Sequence, residues 1–468
     1  MASVIQVMGG LVKEAHMETQ EVMQRDSFTG TIGIIAAVAG SAVGLGNIWK
    51  FPYITGVFGG GAFVLVYLIC IAIIGLPVMF SEFIIGRKAQ RNAVGSFKKL
   101  APGTLWFMPG VMGVVAAFMI LAFYGVVAGW TLEYLLKSII NAFAGKNPAD
   151  LEGMFGGFIS QVTKPIIWQF VFMGLTGWIV LAGIKGGIEK ASKLMMPVLL
   201  IIIVVLDIRA ITLPGAGAGL SFLFKPDFSK LSAEGVLSAL GHAFFSLSLG
   251  MGTLITYSSY MGKRENLATT AVQVTMADTA IALLAGIAIF PAVFAFGIEP
   301  GAGPGLVFIT LPNIFQQMPG GYLFCFLFFL LLAVAALTSS ISILEVVVAY
   351  FVEELKLARR AATIMATIAI SIMGIPCSLS MGVMSDAQVL GKTFFDWLDF
   401  IASNVLLPLG GLLIVAFVGW YLGRDGSEAE ATNQGQLRAG YLPTFIFLAK
   451  FVAPVVIAIV FLHGLGLF

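Results

Sequence analysis

Residues 40–52 read Gly40-Ser41-Ala42-Val43-Gly44-Leu45-Gly46-Asn47-Ile48-Trp49-Lys50-Phe51-Pro52, and their reading decides the fold. They lie in an apolar run, 30–54, long enough to cross a bilayer as a helix, which takes about 20 residues. Each glycine costs about 1 kcal/mol relative to alanine in a helix interior. Closely spaced glycines at mid-span are therefore a place for the helix to unwind. Freed backbone groups in a bilayer are tolerated only where they line a cavity or a ligand site. Gly40-x-x-x-Gly44 also fits small-residue helix packing. A second run, Phe244-Phe245-Ser246-Leu247-Ser248-Leu249-Gly250-Met251-Gly252, repeats the interruption in the sixth apolar segment.

Working outward, the whole chain shares this character. Of its 468 residues 59% are hydrophobic and 11% charged, whereas a soluble domain carries about 25% charged residues. Apolar segments fall near 30–54, 59–86, 104–138, 165–183, 194–213, 234–260, 268–298, 321–352, 361–381, 397–422 and 441–466, which predicts an all-α membrane protein with eleven transmembrane helices. The charge-free stretches 51–81 and 300–344 contain proline and glycine breaks and cover more than one element. If segments one to five and six to ten are repeats, the two glycine breaks sit at matching positions, an arrangement that points to a transporter site.

Charge sets the orientation. The loop 87–103 holds Arg87, Lys88, Arg91, Lys98 and Lys99 with no acid. Placing it in the cytoplasm gives that face seventeen of the 26 basic residues, and the opposite loops five. The N-terminus is then cytoplasmic and the C-terminus extracytoplasmic. A net charge of +2 provides no field for nucleic acid. Cys70, Cys325 and Cys377 sit in apolar runs without metal or disulfide spacing and read as packing thiols. The first 28 residues are polar and lack the apolar core of a signal peptide; Met17 is an alternative start.

The breaks predict chemistry. Unwound N–H groups and a positive helix end attract a carboxylate. Exposed carbonyls, with Asn47 and the Ser246 hydroxyl, suit a hard cation or an ammonium. A zwitterionic amino acid beside an alkali cation satisfies both. Asp278 stands in an otherwise apolar helix, where an acid costs about 2.5–3.5 kcal/mol on insertion scales, and so reads as functional.

These motifs resemble the neurotransmitter:sodium symporter family, in particular its bacterial eleven-span branch for hydrophobic and aromatic amino acids. The resemblance runs from about Arg25 to the end of the chain. It implies a five-plus-five inverted repeat with helices 1 and 6 unwound mid-membrane, a leucine-transporter-like fold. The implied units are a tail with an inner-gate residue (1–28), two five-helix repeats (29–215 and 216–423, the second with an extracellular loop at 299–320), and a cytoplasmic loop with helix 11 (424–468). The implied cofactors are two sodium ions and no organic group. The first sodium site comprises Ala42, Asn47, Ser246 and Asp278 with the substrate carboxylate. The second comprises Gly40, Val43, Ala335, Thr338 and Ser339.

Tyr124, six residues before Trp130, matches the family tyrosine that holds the substrate carboxylate, and with Phe245 it would form a lid. The remaining substrate contacts would come from Ala42, Gly44, Leu45 and Gly46 on helix 1, Ile120, Ser246, Ser248 and Met251, and Ser339 and Ile343 on helix 8. Lys50 and Asp399 correspond to an outer salt bridge, with lysine in place of arginine's two-pronged fork. Arg25 and Glu353 correspond to the inner pair, with Phe28 in the usual tryptophan position and Tyr260 nearby. His242 is expected to face the outer vestibule and to hydrogen bond there. Gly187 and Pro197 bracket a stretch expected to unwind. Asp278 brings its own charge and Ala282 offers no hydroxyl for an anion, so transport is expected not to need chloride. Met251 adapts to bulky shapes, which predicts tryptophan, tyrosine, phenylalanine and leucine-like substrates in a bacterial inner membrane.

Two other classes fit parts of the pattern. His242 and Ser246, spaced i, i+4, could form an intramembrane protease dyad. A sensor of the same fold would bind the amino acid without moving it. No feature assigns an oligomeric state.

Overall fold

The computed structural model describes residues 26–297 and 305–467, which form helices and connections without a strand among them. The first helix, α1, comes in two pieces, Thr31–Ala42 and Gly46–Val57, bent by 50°. Then follow α2 (Gly61–Ala89), α3 (Leu105–Ile139), α4 (Thr163–Leu181) and α5 (Ile184–Ile211). The sixth, α6, is again in two pieces, Ala233–Ser246 and Thr253–Ser258. The series ends with α7 (Leu267–Ala295), α8 (Gly321–Glu353), α9 (Arg359–Leu379), α10 (Phe394–Ala431) and α11 (Leu442–Gly464). Each of the eleven expected apolar segments has its helix, and the broken ones are the first and the sixth.

The breaks have local causes. At the end of the first piece of α1, Val43 turns extended, with φ −70° and ψ 111°. In α6 the chain passes through the left-handed region at Ser248, Gly250 and Gly252, with φ of 56°, 77° and 76°. Glycine adopts that region without steric cost. A Cβ on Gly250 would also run into the Leu407 carbonyl of α10. The charge-free stretch after residue 300 holds a short helical hairpin element, Leu306–Thr310 continuing as Leu311–Gln317, before α8 starts at Gly321.

Long, mostly apolar α3 and α8 form the centre of the bundle and pack on each other, whereas α11 lies at the periphery. Polar caps start the helices where the sequence changes character. Ser232 Oγ accepts from Gly235 N at 3.0 Å at the head of α6, and Asn266 Oδ1 from Thr269 N at 3.1 Å at the head of α7. Such caps contribute about 1 kcal/mol each.

One local expectation is corrected. The stretch from Gly187 to Pro197 is wound: a widened turn at Ile184–Glu189 runs into a helix, Lys190–Ile211, that carries Pro197 inside it. Gly183, with φ 84°, makes the turn out of α4, and Gly187 lets α5 approach the Ile179 carbonyl. Glu189 holds the segment in place. Its carboxylate accepts from Thr29 N at 2.9 Å, from the Thr29 hydroxyl and from the Lys193 ammonium. Helix 5 consequently begins ten residues before the apolar run that announced it.

Candidate substrate and ion-binding site

The two unwound segments face each other against α3, α7 and α8, and a small buried cavity lies between them. Ala42, Gly44, Leu45 and Gly46 line it from α1, and Phe245, Ser246, Ser248 and Met251 from α6. Ile120 and Tyr124 contribute from α3, and Ser339 and Ile343 from α8. All the residues expected to touch a substrate are thereby brought together. Ser41 is an addition: its carbonyl accepts from Ser248 Oγ at 3.0 Å, stitching the two breaks to each other.

The cavity is polar at one end. The Tyr124 hydroxyl accepts from Leu45 N at 3.3 Å, one of the amides freed by the break in α1. Gly44 permits that approach, since a Cβ there would collide with Ser339 Oγ and lie 3.1 Å from Tyr124 Oη. The other end is formed by Ile120, Met251 and Ile343, with no charged side chain.

Beside the cavity, Asn47, Ser246 and Asp278 converge, all fully or nearly fully buried. Asn47 Nδ2 donates to Asp278 Oδ1 at 2.7 Å and to Ser246 Oγ at 3.2 Å, and Ser246 Oγ donates to Asp278 Oδ2 at 3.0 Å. Asn47 Oδ1 accepts from Gly44 N at 2.9 Å. The Asp278 carboxylate and the Ser246 hydroxyl, close to the helix end at Ala42, offer oxygens of the kind that suit a hard cation, while Asn47 turns its Nδ2 toward them and its Oδ1 toward Gly44 N. A second gathering lies across α1. The Val43 carbonyl receives the Thr338 hydroxyl at 3.2 Å and the Ser339 hydroxyl at 3.0 Å, and Thr338 also reaches the Ala335 carbonyl at 2.9 Å. Gly40 faces the same helix, its missing Cβ 3.5 Å from Thr338 Cβ. This donor set is oxygen throughout and bears no formal charge.

Above the cavity a wider vestibule of about 300 Å³ is lined by Trp49, Lys50, Tyr53, Phe123, Trp130 and Asp399, with Tyr124 and Phe245 as its floor. The expected outer salt bridge is absent. Lys50 Nζ sits over the Phe245 ring, 4.6 Å from its centroid, and Asp399 accepts from Ser403 Oγ at 2.7 Å. Lysine's ammonium sits on the ring face and lacks the planar fork that would bind a carboxylate at two points. His242 departs from expectation too. It is buried away from the vestibule, with its ring centroid 5.9 Å from that of Phe51 and 5.3 Å from that of Tyr67, and neither nitrogen has a hydrogen-bond partner among the described residues.

The expected inner-gate residues Tyr260 and Glu353 lie outside the lining of the vestibule. Arg25 lies outside the described residues. Glu353 accepts from Asn92 N at 2.8 Å and from Asn92 Nδ2 at 3.0 Å. Burial works against ionising the neighbouring Glu354, but Lys98 and Asn92 outweigh it and hold that carboxyl below the usual carboxylate range. Phe28 stands edge-on to Tyr257 and Tyr260, and its amide donates to the Tyr260 carbonyl at 3.2 Å.

The strongest tie at Tyr260 was missed in the sequence. Fully buried Glu345 accepts from Tyr260 Oη at 2.8 Å and from both Arg359 terminal nitrogens at 3.0 and 2.7 Å. Glu82 was missed as well: buried in α2, it accepts from Gly250 N at 2.8 Å and satisfies an amide that the break in α6 leaves free. Both acids interrupt apolar runs, Phe80-Ser81-Glu82-Phe83 and Ile343-Leu344-Glu345-Val346, the same signal that marked Asp278.

Interrupted helices facing one another within a bundle of apolar spans, with a small cavity between two clusters of oxygen ligands, define a secondary transporter. The model of the Sodium:neurotransmitter symporter family matches residues 25–148 and 158–467, and the chain belongs to that family.

Its relatives include the uncharacterized sodium-dependent transporter YhdH of Bacillus subtilis (strain 168), 42% identical over 93% of this chain and 97% of the relative. An uncharacterized sodium-dependent transporter of Haemophilus influenzae is 38% identical over 94% of this chain and 98% of the relative. Among solved structures, MhsT in complex with L-phenylalanine matches with a TM-score of 0.88 and 48% identity, over 94% of this chain and all of that one. The chain is thus a multi-pass, sodium-dependent symporter with a small-molecule substrate and the five-plus-five inverted repeat of this fold. It is not an enzyme. The protease dyad fails on geometry also, because Ser246 donates to Asp278 and, among the described residues, no hydrogen bond joins it to His242.

Proposed function

We propose that this symporter imports neutral hydrophobic and aromatic L-amino acids, driven by two sodium ions and without chloride. The observation that carries the reading is the single cavity with a freed amide and a tyrosine hydroxyl at one end and Ile120, Met251 and Ile343 at the other. The substrate carboxylate would lie against the unwound backbone near Leu45 and Gly46 and take a hydrogen bond from Tyr124. Its ammonium would meet carbonyls of the α6 break. Its side chain would fill the apolar end. The phenylalanine bound to MhsT supports this class of substrate.

Asp278, Asn47, Ser246 and the Ala42 carbonyl would hold one sodium ion beside the substrate carboxylate. Gly40, Val43, Ala335, Thr338 and Ser339 would hold the other and bind α1 to α8. Asp278 supplies the negative charge a cation needs at the first site, so no anion is required. Sodium loading and the substrate carboxylate would together fix the α1 break. Release at the inner gate would require Phe28 to leave Tyr260 and the Glu345–Arg359 tie to loosen. The proposed setting is a bacterial inner membrane, with the basic loops and N-terminus inside and the C-terminus outside.

The test is binding of the twenty amino acids to purified protein, followed by flux in proteoliposomes. Sodium-dependent binding and uptake of tryptophan, phenylalanine and leucine, undiminished in gluconate salts, is the expected result. Preference for glycine or glutamate contradicts the pocket reading. Saturable binding without flux identifies a sensor.

A further inference from the structure

A groove of about 550 Å³ opens on the flank of the bundle, remote from the broken helices, between α2, the head of α7 and α11. Its walls are apolar: Leu76 and Phe80 from α2, Ala271 and Val272 from α7, Phe445 and Leu448 from α11. Phe80 stands edge-on to Phe445, with centroids 4.8 Å apart, and to Tyr441 at 5.7 Å, which gives the groove a firm floor. At the end nearest the basic loops the lining turns polar, with Thr269, Tyr441 and Arg438.

Arg438 is exposed, and no ion pair or hydrogen bond joins its side chain to another described residue. The nearby Glu430 carboxylate is already held by Arg87 at 2.7 Å and Lys263 at 2.9 Å. An exposed guanidinium with no acidic partner among the described residues therefore stands at one end of an apolar slot on the flank of the spans.

We propose that this groove binds one anionic phospholipid, with an acyl chain along the apolar walls and the phosphate against Arg438. The guanidinium fork matches phosphate oxygens, and basic pockets between spans on this side of a membrane select anionic headgroups. A zwitterionic lipid carries its own ammonium and gains less from the arginine. The bound lipid would join α7, whose middle carries Asp278, to peripheral α11.

The test uses the full chain in detergent, titrated with phosphatidylglycerol or phosphatidylcholine of identical acyl chains, with retained lipids counted by native mass spectrometry. Wild type should retain one phosphatidylglycerol with a preference of about fivefold, the effect of one basic residue at an anionic surface. Arg438→Gln should reduce that preference to about one while still retaining lipid, and Val272→Trp, which fills the slot, should lower retention of both lipids. Sodium-dependent amino-acid binding by each variant checks that it is folded. Equal retention of the two lipids by wild type overturns the proposal, as does full preference in Arg438→Gln or unchanged retention in Val272→Trp.

Discussion

Asp278 concentrates the chemistry of the proposed ion site, because it is the one formal charge in a buried triad with Asn47 and Ser246. Asp278→Asn keeps the shape and removes the charge. In chloride-free medium it should raise the sodium concentration needed for half-maximal uptake at least about tenfold, the scale of a hydrogen bond to a charged group; a sodium titration in gluconate checks this. Tyr124→Phe removes the hydroxyl beside the freed Leu45 amide and should weaken binding of every substrate by about tenfold or more, measured by radioligand saturation. Met251→Phe makes the apolar end shorter and stiffer. Tryptophan affinity should fall more than leucine affinity, measured by competition. His242 and Lys50 show where residue-level reading stops. Their positions along the chain were legible, but an imidazole packed on Phe51 and Tyr67, or an ammonium over Phe245, is decided by neighbours from other helices.

At the scale of elements, the two breaks depend on groups far away in sequence. Glu82 on α2 accepts the freed Gly250 amide, and Gly250 itself needs a positive φ with no Cβ against Leu407. Gly250→Ala should lower thermal stability by about 2–3 kcal/mol, combining backbone strain with a steric clash, and a thermal melt in detergent reads the loss. At the inner gate, Glu345→Gln leaves Arg359 and Tyr260 without their carboxylate. That variant should open toward the basic-loop side, read as faster alkylation of a cysteine placed at Ser342 than in the same cysteine variant with Glu345 intact. The breaks were legible because glycine spacing is a local signal. The supports were less so: Glu82 and Glu345 were visible as acids in apolar runs, but their partners Gly250, Tyr260 and Arg359 come from other parts of the chain. Helix 5 shows the opposite failure. Gly187 and Pro197 read as weak points, yet Glu189, tied to Thr29 and Lys193, holds that stretch wound in this conformation.

For the molecule as a whole, scarce charge was the most informative sequence feature. Eleven spans and their order followed from hydropathy, and the charge count assigned seventeen basic residues to one face as an expectation. Arg87, counted among them, proves to be a buried strut bonded to Glu430 rather than a surface charge. The vestibule over Tyr124 and Phe245 and the packing of Phe28 on Tyr260 are the two places where the proposed import would need the molecule to change shape. Two sodium ions entering with a neutral zwitterion move two charges, worth about 4.6 kcal/mol at 100 mV, on the order of a thousandfold accumulation. The central claim is sodium-coupled movement of a hydrophobic amino acid through the site between the breaks. Uptake of radiolabelled phenylalanine into proteoliposomes, with an inward sodium gradient in gluconate salts, tests it most directly. The account predicts accumulation that collapses when choline replaces sodium and rises with an inside-negative potential; uptake that ignores sodium, or that appears only when chloride is added, would contradict it.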